Sequence, residues 1–189
     1  FGIVSGGTVE NVGVENVDIN GSEYVGGLVG RNNADVTNSY ATGNVNGTKY
    51  VGGLIGENFE DVSELYATGN VNATRNVGGL IGENNANVTE SYATGDVESD
   101  EDWVGGLVGL NYGNITKSYA TGDVDGDFVG GLVGLNSDND VASSYATGDV
   151  DGSGDYVGGL VGRNNADVTN SYATGDVNGT KYVGGLIGE

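Results

Sequence analysis

The stretch that decides the fold is Tyr24 to Gly43, "YVGGLVGRNNADVTNSYATG", because the same twenty residues return from Tyr156 to Gly175. Extended to Glu57 and Glu189, the two copies run 34 residues and differ only at Asn44 and Asp176. Between them the same theme is varied. "VGG" starts at 25, 51, 77, 104, 129, 157 and 183, and "YATG" at 40, 66, 92, 119, 145 and 172, a spacing of 25 to 28 residues. Self-similarity at such a period marks an array of repeated structural units. A chain that repeats itself in this way is rarely organised around one catalytic pocket.

Within a unit, "YVGGLVG", "ADVTNSYATG" and "NVNGTKY" are short runs rich in Val, Tyr and Thr, punctuated by Gly and Asn. Such runs read as strands and turns, about three strands to a unit. No segment carries the i, i+3, i+4 apolar spacing of a helix. A unit this small cannot close a core alone, but stacked on its copies at ~4.8 Å it can. The expectation is an all-β parallel β-helix (β-solenoid) of about 26 residues per rung and roughly seven rungs. By the crossover rule it should be right-handed. Residues 1–23 read as a leading rung and residues 24–189 as one continuous repeat domain.

Stacking predicts ladders of equivalent residues. Asn32, Asn58, Asn84, Asn111, Asn136 and Asn164 fall at one position, where side-chain amides can hydrogen-bond along a column. Val36, Val62, Val88, Ile115, Val141 and Val168 form a core column, and Tyr24, Tyr50, Asn76, Trp103, Phe128, Tyr156 and Tyr182 a largely aromatic one. Leu65 stands where other units have Ser before "YATG", which implies that this position, the following Ala and the later Val face inward. Tyr40, Tyr66, Tyr92, Tyr119, Tyr145 and Tyr172 then form an outward stripe beside a stripe of Thr.

Composition narrows the function classes. A formal net charge of -21, with 27 Asp and Glu against six Lys and Arg, excludes nucleic acid and anionic membrane surfaces as partners. It suits a chain kept soluble by its acidic surface or living in high salt. No apolar run is long enough to insert in a membrane. With neither His nor Cys, the chain has no His-based triad, Cys nucleophile, disulfide or common zinc ligand set. Met is also absent, so the expectation is a processed product or a window on a longer polypeptide.

"VGGLVGRN", "VGGLIGEN" and "VGGLVGLN", each followed by "SYATG" or "LYATG", resemble GLUG repeats, named for their G-L-x-G core. The resemblance covers residues 24 to 189. It implies a scaffold of a large extracellular or cell-surface protein, with no catalytic residues attached to it.

Three kinds of candidate site remain. Asp96, Asp123 and Asp149, with Asp125, Asp151 and Asp155, would form stacked oxygen-rich columns suited to Ca²⁺, the one cofactor candidate, or to solvation as an acidic face. Asn20, Asn46, Asn72, Asn87, Asn114 and Asn178 open Asn-x-Ser/Thr sequons, candidate glycosylation sites of a secreted glycoprotein. The Tyr and Thr stripe is a candidate face for cell-surface glycans or a neighbouring rod. The expected function is a non-enzymatic extracellular filament subunit or adhesin stalk, partnered by itself, head to tail or side by side, or by neighbouring repeats. A carbohydrate-binding or adhesion module is the alternative.

Overall fold

The computed structural model describes residues 1–189 in full, and none is helical. Strands pair in parallel with the equivalent strand of the next rung, as Val25 with Val51, Val51 with Val77 and Val77 with Val104. The result is a parallel β-solenoid of about seven turns, with ~26 residues per turn. Each rung holds five short strands rather than the three expected. In one rung these are Lys49–Gly52, Ile55–Asn58, Val62–Ser63, Tyr66–Ala67 and Val71–Ala73. Runs that look continuous in sequence are broken by corners at "GL", after the ladder Asn, and at "TG".

The first, second and third strands each build a seven-stranded sheet. The fourth and fifth belong to one sheet, because Tyr40–Asn46 runs unbroken through both positions. Residues 1–23 join the same stack: Ile3–Val4, Thr8–Glu10 and Gly13–Asn20 pair with the second, third and combined fourth and fifth strands of the next rung.

Side chains pointing inward form two cores, not one. The larger runs through Leu80, Ile81, Val88 and Ala93 and their equivalents, and takes in Leu65. The smaller runs through Val77, Val97 and their equivalents. The double glycine of "VGG" creates the waist between them. A Cβ placed on Gly79 would lie 2.1 Å from the Gly106 carbonyl oxygen and 3.0 Å from Ala93 Cβ on the opposite wall. Only a residue without a side chain allows that approach, and the facing column must be Ala.

Polar side chains form two inward columns, both hydrogen-bonded along the stack, as buried polar groups must be; the single Ser99, buried elsewhere, donates to the Thr74 and Glu101 carbonyls. In the Asn column each Nδ2 donates to the Oδ1 of the next rung at 2.8 Å, from Asn32 through Asn58, Asn84, Asn111 and Asn136 to Asn164. Each also donates to a backbone carbonyl that follows it, as Asn58 does to Glu60 at 2.7 Å. The direction is uniform, so Asn32 Oδ1 has no donor; the leading rung presents Val4 at that register. In the Ser column, Ser118 Oγ accepts the Ser91 amide at 3.2 Å and donates to the Thr116 carbonyl at 2.9 Å. Leu65 interrupts this column and is fully buried.

Rung length varies at the corners. The additional residues of the longer rungs fall in the turns around residues 99–102 and 152–155, between the fifth strand and the next rung's first, and around 137–140 after the Asn column. The strands on either side keep their register.

Candidate functional site

The Tyr column lies on the outer surface, with the Ala residues that follow it buried except Ala173 in the last rung, which is half-buried. Its six rings stack on one another with centroids 4.7–5.2 Å apart and planes within 4° of parallel. Rung spacing imposes this arrangement. Each interior ring has both faces covered by its neighbours, and Tyr40 lies against Gly13, where a Cβ would meet the ring at 2.2 Å. What the stripe offers to a ligand is therefore ring edges and phenol hydroxyls, beside the hydroxyls of Thr42 and its equivalents. Tyr40 differs in donating its hydroxyl to Glu15 at 2.8 Å, and that bond pushes its pKa upward.

The acidic columns stack as expected, and one oxygen of each corner carboxylate accepts a backbone amide. Asp96 Oδ1 accepts the Asp123 amide at 3.1 Å, Asp123 Oδ1 the Asp149 amide at 2.9 Å, and Asp149 Oδ1 the Asp176 amide at 2.8 Å. The carboxylates thus close the backbone hydrogen bonding of the "TG" corner, and Asn44 and Asn70 do the same with amide oxygens. Asp125 and Asp151 stand in register with Glu98 on the next outward column, and Asp155 pairs with Lys181 at 2.7 Å. The two columns line a shallow acidic groove. No group of three or more carboxylates converges on a point where a metal ion would sit. The candidate Ca²⁺ ligands are spread over three rungs, with Asp96 in one, Asp123 and Asp125 in the next, and Asp149, Asp151 and Asp155 in the one after.

The six sequons fall in two rows. Asn20, Asn46, Asn72 and Asn178 share an outward position on the fifth strand, while Asn87 and Asn114 share one just before the third.

The sequence reading missed a half-hidden charged column on the second strand. There Arg31, Glu57 and Glu83 sit in register, followed by Leu110 and Leu135. Arg31 Nε lies 2.9 Å from Glu57 Oε2, but the two are misaligned for a hydrogen bond. Burial pushes the pKa values of both Glu57 and Glu83 upward, against the opposing pull of Arg31. The other cations are also engaged. Arg75 binds Glu101, Lys117 binds Glu90, and Lys49, Arg163 and Lys181 lie over Tyr50, Tyr156 and Tyr182. Charged residues stacked down one column were the available signal, visible only once the register is known.

No helix of the chain is long and apolar enough to cross a membrane. A family model described as the GLUG motif matches six segments, residues 21–46, 47–72, 73–98, 104–125, 129–151 and 153–178. No curated protein and no solved structure matches the chain.

Proposed function

Because the chain belongs to the GLUG-motif family, with six repeats matched across residues 21–178, we propose that it is a non-catalytic structural element of the cell exterior, a stalk or filament segment. One observation carries this reading: the polar columns are spent on the next rung. The Asn amides, the Ser hydroxyls and the Asp carboxylates all reach along the axis, which builds length and leaves no constellation unlike its surroundings. Its partners on this reading are further rungs of its own kind. The net charge of -21 keeps separate rods apart except in salt.

The test is mechanical. Pulled from its two ends, the protein should yield at high force in steps, each rung of ~26 residues releasing roughly 90 Å of chain. A single low-force event, or product from a polysaccharide depolymerisation screen, would overturn the reading. Surface labelling of the native cells with an impermeant reagent tests the location.

The alternative, glycan binding on the Tyr and Thr stripe, draws support from the outward, uncharged character of that lane. The stacked rings weigh against it, since sugars dock on ring faces and those faces are taken. A glycan array probed with the protein and with Tyr119→Ala separates the two readings: equal, absent binding fits the stalk.

A further inference from the structure

The six sequons are alike in spelling, but the fold treats them differently. Transfer of an N-linked glycan needs an asparagine whose Nδ2 can be presented to an enzyme, with the hydroxyl two residues on free to join it. In the step itself, a bond forms between Nδ2 and the sugar C1. The bond from C1 to the phosphate oxygen of a lipid-linked oligosaccharide breaks, the phosphate leaves as an anion, and one Nδ2 hydrogen departs as a proton.

Asn87 and Asn114 fail these requirements in three ways. Their amides are locked in a ladder: Asn87 Nδ2 and backbone nitrogen both donate to Asp61 Oδ1 at 3.0 Å, and Asn87 Oδ1 accepts Asn114 Nδ2 at 3.0 Å. Their hydroxyl partners, Thr89 and Thr116, hydrogen-bond to each other at 3.2 Å. The residues between, Val88 and Ile115, are plugged into the larger core at 0% exposure, so neither sequon can leave the surface without opening a rung.

The other row is built differently. Asn20, Asn72 and Asn178 are exposed; Asn20 and Asn178 end their strands, and Asn72 is the middle residue of the short strand Val71–Ala73. Asn20 and Asn72 make only single side-chain bonds to exposed carboxylates, Asp18 at 3.1 Å and Glu98 at 3.2 Å. The intervening residues are Gly21, Ala73 and Gly179, and of these only Ala73 is buried. Thr180 Oγ1 donates to the Ser153 and Gly154 carbonyls at 3.3 and 2.8 Å, which ties up the hydroxyl of the Asn178 sequon. Asn46 is half-buried and lies between Asn20 and Asn72 in direct register, one rung of ~4.8 Å from each. Glycans on both neighbours leave no room for a third.

We propose that this outer row is the acceptor row for N-linked glycans, carried at Asn20 and Asn72, that the stack withholds Asn87 and Asn114, and that the engaged Thr180 hydroxyl withholds Asn178. The biological setting rests on the exterior reading above, but the test with purified components does not. The folded protein is incubated with an oligosaccharyltransferase that modifies synthetic peptides spanning each of the six sequons, together with its lipid-linked oligosaccharide. Occupied sites are mapped by mass spectrometry, and circular dichroism confirms that the fold persists. The expected result is occupancy at Asn20 and Asn72, none at Asn87, Asn114 or Asn178, and loss of only the Asn72 glycan in Asn72→Gln. Occupancy of Asn87, Asn114 or Asn178 comparable to that of Asn20 and Asn72, or an Asn20 and Asn72 that stay bare while their peptides are modified, would overturn the proposal. Neither result bears on whether the protein is a stalk.

Discussion

Truncating one asparagine in the middle of the buried column should cost much more than truncating the first. Asn111 is fully buried and donates to Asn136 Oδ1 at 2.8 Å and to the Gly113 carbonyl at 2.5 Å, while accepting from Asn84 Nδ2 at 2.8 Å. In Asn111→Ala, Asn136 Oδ1 and the Gly113 oxygen lose their donor, and Asn84 keeps only its bond to the Ala86 carbonyl. At ~1–3 kcal/mol for each buried group left unmade, the loss is about 4 kcal/mol. That corresponds to a fall in Tm of roughly 8–16 °C for a chain of this size. Asn32→Ala severs only outgoing bonds, since Asn32 Oδ1 has no donor, and it deletes that orphan acceptor as well. Its cost should be smaller by about 2 kcal/mol. Asn111→Asp is the harsher control, because it buries a charge that cannot donate to Asn136. Urea unfolding followed by circular dichroism gives all three values. If Asn32→Ala and Asn111→Ala cost the same, or both cost under ~1 kcal/mol, the amide column is not what ties rung to rung.

Three further outcomes are expected. Gly106→Ala puts a Cβ 2.2 Å from the Gly131 carbonyl oxygen and 2.9 Å from Ala120 Cβ; it should cost at least ~3 kcal/mol in urea unfolding, whereas a near-neutral result would mean that the waist can open. Tyr119→Ala removes stacking on Tyr92 and Tyr145, each pair worth ~0.5–1.5 kcal/mol beyond its area, and should lower stability by about 2 kcal/mol with loss of near-ultraviolet dichroism. Glu57 and Glu83 have folded pKa values raised by burial, so their protonated forms favour the fold: stability should rise as pH falls from 7 toward their unfolded values of ~4.3. A Tm that does not rise between pH 7 and pH 5, or a rise left unchanged in Glu83→Gln, would refute this.

The axial order of the molecule was legible in the sequence, and its cross-section much less so. Columns at Asn32, Val36 and Tyr40 follow from the spacing alone, because in a stack the neighbour of a residue is its own equivalent. Leu65 gave away the inward position of its column by replacing a polar residue with one that must be buried. The waist was hidden because Gly79 is demanded by Ala93 and Gly106, contacts across the rung and between rungs that no periodicity along the chain encodes. What the Asp column does was hidden for a related reason. Spacing placed the carboxylates one above another, but only the conformation of the "TG" corner reveals that each faces the next rung's amide. The buried Glu57 and half-buried Glu83 escaped notice because spacing along the chain does not show how far a column is covered; Arg31 in the same column lies over the Tyr24 and Phe59 rings.

The corners around residues 99–102 and 152–155 absorb additional residues while the strands on both sides stay in register. Peptide inserts placed there in several rungs would be held in a single file along one edge, at multiples of ~4.8 Å. Antigens or enzyme-recruiting tags could then be presented at a pitch chosen by rung number, which makes the molecule a ruler for nanometre-scale display.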